Sequence, residues 1–152
     1  MKLTSPEFEQ NGKLPEKTGY MGKNVNPELE IKNVPETAQT LALILEDPDA
    51  KEPAGKIWVH WLTWNIPADT QKIDEEESPG IEGQTDFPKP GYNGPNPPDG
   101  EHELVFKIYA LDKELELNQD AGREEFEQTI ENHIVDEAEL KAVYPYKHKT
   151  RD

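Results

Sequence analysis

Prolines and glycines divide most of this chain into short segments. Fourteen prolines and ten glycines are present among the 152 residues, and most of them fall in the first two-thirds of the sequence. Proline lacks the amide hydrogen that a helix interior needs, and glycine is the next poorest helix former. The first two-thirds of the chain are therefore predicted to fold into strands and turns rather than helices.

Three apolar segments are predicted to be the main strands. The first, at residues 41–46, is an apolar run that ends at an Asp-Pro pair, as is typical of a central strand buried on both faces. The second and third lie at 57–66 and 103–111, and a shorter strand is expected near residues 29–31. Period-2 alternation predicts two faces for the second strand, with Trp58, His60, Leu62 and Trp64 on one and Val59, Trp61 and Thr63 on the other.

The segments between and after these strands have a different character. Residues 67–82 are polar and acidic and are expected to form a surface loop, and the crowded prolines and glycines of 86–101 exclude a regular element. Near the C terminus, Asp120 is predicted to cap a helix at 121–134, where Phe126, Ile130, His133 and Ile134 fall at helical spacing. Asp136 is predicted to cap a second helix, which continues through Leu140 and Val143. Strands followed by helices predict a single β-rich α+β domain over residues 1–152, with the helices packed against the sheets.

The composition excludes several classes of function. A net charge of −16 disfavours non-specific binding to nucleic acid or to an anionic membrane surface, since both are polyanions. The sequence has no cysteine, so disulfides, thiolate nucleophiles and thiolate metal sites are excluded. No run is apolar enough for a signal peptide or a membrane span, which makes the cytoplasm the expected location.

Two motifs carry the chemistry of this sequence. One is Asp47-Pro48-Asp49-Ala50, at the end of the first main strand, and the other is the Gly/Pro-rich segment 91–102, which ends in a histidine. His60 lies between them in sequence, within Trp-Val-His-Trp. A carboxylate beside a histidine orients one ring nitrogen, and glycine-rich backbone offers amides to an anion. This combination predicts a small pocket for an anion such as phosphate or a phosphomonoester.

Other interpretations of the same residues are open. Asp-Pro-Asp is a common turn, and a histidine in a strand is often only a core residue. Asp47 or Asp49 with His60 could act as acid and base in a hydrolase, although no serine or cysteine nucleophile is recognisable beside them. His60, His102 and one aspartate could instead hold a divalent metal such as zinc, although the spacing is not a metal-binding signature.

The combined pattern Asp-Pro-Asp-Ala, Trp-x-His-Trp and Gly-x-x-Pro-Pro-x-Gly-x-His resembles the phosphatidylethanolamine-binding protein family, in its bacterial and archaeal Raf-kinase-inhibitor-like branch. The resemblance extends over essentially the whole chain, from the opening Met-Lys-Leu-Thr-Ser-Pro-Glu-Phe to the C-terminal segment. It implies two packed, mainly antiparallel sheets with C-terminal helices. It also implies a pocket for phosphate, a phosphoester or a phospholipid headgroup, formed by Asp47, Asp49, His60, Gly94, Asn96, Pro98 and His102, with Asn96 supplying a backbone amide.

The resemblance further implies a binding protein rather than an enzyme, without cofactor or metal. A protein kinase or protease is the partner class that it suggests, and a homodimer is a weaker expectation. The sequence departs from the family pattern beside the motifs. Lys51 replaces a proline that often follows a cis bond, so a trans bond or a reshaped loop is expected there. Glu103 replaces a frequent arginine and brings negative charge towards the mouth of the pocket, Leu104 replaces an aromatic residue, and Pro95 and Asn96 replace smaller or sulfur-bearing residues.

Overall fold

The computed structural model describes residues 1–50, 55–97 and 100–144. In this part of the chain, nine strands, one α-helix and two 3-10 turns are present. The strands are β1 (Lys2–Thr4), β2 (Gly12–Lys13), β3 (Leu29–Lys32), β4 (Thr40–Asp47), β5 (Trp58–Pro67), β6 (Lys72–Ile73), β7 (Ile81–Glu82), β8 (His102–Leu111) and β9 (Ile134–Tyr144). The helix, α1, spans Arg123–Ile130, and the 3-10 turns span Glu16–Thr18 and Pro48–Ala50.

The strands form two sheets. The larger has six strands in the order β2-β9-β8-β4-β5-β7, and the smaller has three in the order β1-β3-β6. Every pairing is antiparallel except that of β2 with β9. The predicted β-rich fold with two mainly antiparallel sheets is therefore confirmed.

The larger sheet separates two hydrophobic cores. On one side, Leu3, Ile31 and Ile73 of the small sheet pack with Leu43, Phe106 and other residues of the large sheet. On the other side, Phe126 and Ile130 of α1 cover a second cluster that includes Ala42, Leu62 and Trp64. Burial of large apolar side chains on both sides of one sheet supplies most of the stability of such a fold.

Strand β4 lies at the centre of the large sheet, as predicted for residues 41–46. It pairs with β5 on one side and with β8 on the other, and every one of its residues is buried. Because alternate side chains point to opposite faces, its apolar residues contribute to both cores.

The predicted faces of β5 need correction, because two irregularities interrupt its pairing with β4. Leu45 lies opposite Trp61 and Glu46 lies opposite Val59, so His60 is an extra residue in the strand. A second irregularity lies between the pair Leu41–Ile66 and the pair Leu43–Thr63. Trp61 therefore packs in the core between the sheets, whereas Val59, Leu62 and Trp64 pack on the helix side. A bulge changes which face a side chain occupies, and sequence alternation gives no sign of it.

The predicted second C-terminal helix is wrong, since residues 134–144 form strand β9. In its C-terminal half the buried residues are Leu140, Ala142 and Tyr144, which is the period of a strand. The ten-residue antiparallel ladder with β8 outweighs the helical propensity of this Glu- and Ala-rich segment.

The first C-terminal helix exists but is shorter than predicted. It begins at Arg123 after Gly122, without a side-chain cap, so Asp120 does not cap it. Phe126 and Ile130 are its buried residues, and His133 lies beyond its end. The expected surface loop at 67–82 also contains two short strands, β6 and β7, each of which closes one edge of a sheet. In the described ranges, no helix is long and apolar enough to cross a membrane.

Candidate functional site

Three strand ends meet at one edge of the large sheet. Because β4 is antiparallel to both neighbours, its C-terminal end lies beside the first residues of β5 and β8. Asp47 lies directly opposite Trp58, and His102 begins β8. Asp47, His60 and His102 are all at most 4% exposed. The fold thus collects two histidines and a carboxylate at one end of the sheet.

Asp47 and His102 form a buried pair. The Nδ1 atom of His102 lies 2.6 Å from Oδ2 of Asp47, and the other carboxylate oxygen accepts a hydrogen bond from the amide of Ala50 at 3.1 Å. Since a carboxylate can only accept, Nδ1 carries the proton of this bond. The aspartate therefore fixes the orientation and tautomer of the His102 ring.

His60 is held by the backbone of Asn93 at two points. Its Nδ1 lies 2.8 Å from the carbonyl oxygen of Asn93, and the amide of Asn93 donates to the carbonyl of His60 at 2.9 Å. Burial lowers the pKa of His60, while hydrogen bonds to the backbone of Asn93 and Gly94 and the negative charges of Asp47 and Asp86 oppose that shift. The neutral ring is thus favoured, with its proton on Nδ1 and a lone pair on Nε2.

Gly94 brings the Gly/Pro-rich segment against the N-terminal part of the chain. Its amide donates to Oδ1 of Asn24 at 2.6 Å. A Cβ at position 94 would lie 1.9 Å from the carbonyl oxygen of Thr18. Only glycine permits this approach, which holds the segment beside His60.

The two aspartates of the first motif take different roles. Strand spacing predicts both carboxylates on the same side, but a 3-10 turn replaces the strand at Pro48–Ala50. Asp49 is exposed, and its Oδ2 accepts the amide of Glu103 at 2.8 Å. In the described part of the chain, Asp49 therefore fixes the start of β8 through this hydrogen bond. Asp47 is the aspartate that orients a histidine.

The substituted positions beside the motifs also have definite places. Leu104 is fully buried in the core between the sheets, and Pro95 is buried with its carbonyl accepting the amide of Tyr20 at 3.0 Å. Glu103 follows His102 in the strand and so points to the opposite face of the sheet. Asn96 is exposed. The expectations for Pro98 and for the bond at Lys51 lie outside the described residues.

Three residues of this region were not singled out by the sequence. Asn93 contacts His60, as described above. The Asp86 carboxylate accepts a hydrogen bond from the amide of Val59 at 2.7 Å and forms an ion pair with Lys56 at 2.6 Å. It also adds negative charge near His60. Phe87 packs on the His60 ring, with 5.3 Å between the ring centroids. Only Asn93 lies within a recognised motif, and the other two are brought to the site by a loop that carries no strong sequence signal.

The chemistry available here is that of recognition through hydrogen bonds. The two imidazoles have their tautomers set by a carboxylate and a carbonyl, so each has a defined pattern of donor and acceptor atoms. Within residues 1–50, 55–97 and 100–144, no group of three or more His, Asp or Glu side chains is arranged to hold a metal ion. The donor set therefore gives no support to the metal interpretation of His60, His102 and an aspartate.

Comparisons with known proteins agree with this architecture. The family model for the phosphatidylethanolamine-binding protein matches residues 4–145. A UPF0098 protein of Methanothermobacter thermautotrophicus is 36% identical over 151 residues, which cover 95% of this chain and 98% of that protein.

Two solved structures share the fold over almost their full length. A phosphatidylethanolamine-binding protein homologue from Chlamydia trachomatis superposes with a TM-score of 0.89 at 30% identity, covering 99% of this chain and 97% of the other. Escherichia coli YbcL, described as a member of the mammalian PEBP family, gives a TM-score of 0.88 at 27% identity, covering 96% and 98%. The chain is thus a two-sheet protein of the PEBP type, and it belongs to the phosphatidylethanolamine-binding protein family.

Proposed function

We propose that this protein binds a small anion, namely phosphate, a phosphoester or a phospholipid headgroup. The binding site is the end of the large sheet where Asp47, His60 and His102 lie. One observation carries the proposal: three ionisable side chains, each at most 4% exposed, are gathered at one sheet end beside a backbone segment that glycine brings close. Burying such groups is unfavourable unless they are well paired, and clusters of this kind are enriched at functional sites.

The protonation of His60 suggests how the anion is recognised. With the neutral ring favoured and the proton on Nδ1, Nε2 accepts a hydrogen bond. A phosphate that retains one proton can donate to it, and a fully ionised phosphate requires the ring to take up a proton. In both cases the complex holds a proton that is lost at high pH. Affinity should therefore fall as the pH rises from 5 to 8.

Calorimetric titration with inorganic phosphate and phosphoethanolamine tests the proposal. We expect His60→Ala and His102→Ala to weaken binding about tenfold to a hundredfold, since each removes a hydrogen bond to a charged group. His133→Ala is a matched control, because His133 also pairs with an aspartate, Asp112, at 2.9 Å, but lies roughly 30 Å away at the other end of β8. Absence of binding by the wild type at millimolar ligand across this pH range would contradict the proposal.

We further propose that the site binds without catalysis. A hydrolase that forms a covalent serine or cysteine intermediate needs that nucleophile at the site, and the chain has no cysteine and two serines, Ser5 and Ser78. Ser5 donates to the carbonyl of Glu28 and Ser78 to the carboxylate of Glu82, so both are used in structural contacts elsewhere. Regulation of a protein kinase or protease would operate through the same pocket by capture of a phosphorylated side chain. That role, a homodimer and a cytoplasmic location are parts of the proposal.

A further inference from the structure

Strand β9 forms a free edge of the large sheet over most of its length. In the described ranges, its partner on the outer side is the short strand β2, which pairs with the C-terminal end of β9. The amide of Lys141 donates to Oε1 of Gln10 at 2.6 Å, and its carbonyl accepts the amide of Asn11 at 2.7 Å. The N-terminal segment therefore covers the edge as far as Lys141. Residues 134–140 have no partner strand on this side within those ranges.

The backbone of Glu139 points away from the sheet at this free edge. Alternate residues of a strand direct their amides and carbonyls to the same side, and those of Lys141 point outward. Glu139 and Glu137 therefore also present outward groups. The amide of Glu137 donates to Oδ1 of Asp136 at 2.8 Å. No hydrogen bond in the described part of the chain uses the outward amide and carbonyl of Glu139, so both are available to an added strand.

A groove lies beside this edge, between β9 and the N-terminal segment. It has a volume of about 440 Å³, and its apolar lining includes Leu3, Phe8, Ala138 and Leu140. Ala138 and Leu140 are on the face of β9 that packs towards the core between the sheets. Because side chains alternate between the two faces of a strand, a strand added at Glu139 directs every second side chain towards this groove.

The opposite face of the same edge is acidic. Glu137 and Glu139 are exposed, and Lys107, which lies opposite Glu139 in β8, forms its ion pair with Glu46. Burial and nearby carboxylates, which include those of Glu46, Glu137 and Glu139, raise the pKa of Tyr109 to about 12. A cation beside Glu137 and Glu139 is therefore favoured by the charge of this face.

We propose that the free edge of β9 binds an extended segment of another protein in which lysine or arginine alternates with apolar residues. The segment adds a strand to the large sheet: its backbone pairs with Glu139, its cations lie beside Glu137 and Glu139, and its apolar side chains lie over the groove. A second copy of β9 is a poor partner, because its own glutamates would lie beside these two. The edge is separate from the candidate anion site, since Glu139 pairs with Lys107, whereas His102 is at the start of β8.

Calorimetric titration of the full chain with a blocked hexapeptide, Lys-Val-Lys-Val-Lys-Val, tests the proposal. A peptide of the same composition, Lys-Lys-Lys-Val-Val-Val, controls for general attraction to a protein of net charge −16. We expect the alternating peptide to bind about tenfold more tightly, because as a strand it places its cations on one face and its apolar side chains on the other. Equal affinities for the two peptides, or no binding of either, would overturn the proposal.

The variants Glu139→Pro and Glu139→Gln separate backbone pairing from charge. Both remove the carboxylate, but only proline also removes the outward amide, and an edge strand tolerates proline where that amide faces solvent. We expect Glu139→Pro to bind the alternating peptide about tenfold more weakly than Glu139→Gln does. Similar affinities of the two variants would contradict strand addition.

Methylation of the peptide nitrogens provides the same test if Glu139→Pro does not fold. Only alternate amides of an added strand face β9, so N-methylation of one alternating set should abolish binding to the wild type, and N-methylation of the other set should preserve it. Equal effects of the two sets would refute backbone pairing. Sedimentation of the wild type tests the alternative occupant: a dimer that the alternating peptide converts to a monomer would show that a second copy occupies this edge, and would overturn the choice of partner.

Discussion

Gly94 shows how one residue without a side chain places the candidate site. Its amide bonds to Asn24, and the carbonyl of Thr18 occupies the position that a Cβ would need. Gly94→Ala must therefore displace backbone atoms, and we expect a loss of about 3 kcal/mol in the free energy of unfolding, at the upper end for overpacking. Phosphate affinity should fall as well, because the Asn93 carbonyl that holds His60 moves with this segment.

Urea denaturation and phosphate titration of the same variant measure both effects. Gly122→Ala is the matched control, since nothing lies within 4 Å of a Cβ built at Gly122. An unfolding free energy for Gly94→Ala equal to that of the control would refute the role assigned to this close approach.

His60 should also make the stability of the protein depend on pH. Burial lowers its pKa in the folded state below the value of about 6.5 expected in the unfolded chain. Between these two values the unfolded chain binds the extra proton, so stability is fully present above about pH 6.5 and is lost as the pH falls. The slope from this one residue is at most about 1.4 kcal/mol per pH unit.

Urea denaturation between pH 5 and 7 tests this expectation. The His60→Gln variant lacks the titrating ring, so its stability should fall less with decreasing pH than that of the wild type. His133→Gln is the matched control for the loss of one histidine, because His133 is partly exposed and lies far from the site. Parallel slopes for wild type and His60→Gln would show that His60 is not buried in its neutral form.

At the scale of elements, β9 is the segment where local and tertiary preferences disagree. A helix from Asp136 would place Leu140 and Val143 on the same buried face, whereas the observed strand buries Leu140 and Ala142 and leaves Val143 partly exposed. Ala142 lies opposite Leu104 in the core between the sheets.

A pair of lysine substitutions distinguishes the two registers. Ala142→Lys places an unpaired charge in a fully buried position and should cost about 4 kcal/mol or more, whereas Val143→Lys should cost about 1 kcal/mol or less. Urea denaturation shows which of the two variants loses more stability. If Ala142→Lys does not fold, the yield of folded protein gives the same comparison. A larger loss for Val143→Lys would contradict the strand.

At the scale of the whole molecule, two cores on either side of one sheet define the position of the site. The core between the sheets and the core under α1 hold the large sheet from both faces, so β4, β5 and β8 have fixed relative positions at their ends. An ion cluster around the buried Glu46 joins the helix to this sheet, because the Glu46 carboxylate pairs with the partly exposed Lys107 at 3.0 Å and with Arg123 of α1. The candidate site is therefore held on rigid strands, which favours a preformed pocket.

Much of this arrangement follows from the sequence alone. The proline and glycine distribution predicts strands and loops, and the apolar run at 41–46 predicts the central strand. The motif spacing places His102 at the start of a strand and Asp47 at the end of one. These features are local: they depend on backbone restrictions and on side-chain periodicity, which each segment carries by itself.

The tertiary structure decided the rest, because the deciding interactions join residues far apart in sequence. The ladder with β8 makes 134–144 a strand, the extra residue at His60 reassigns the faces of β5, and a 3-10 turn separates Asp49 from Asp47. Asn93 and Phe87 reach His60 only when the loop folds back onto β5. Periodicity predicts which residues become buried, but the partner strand and the pairing register determine which side chains meet.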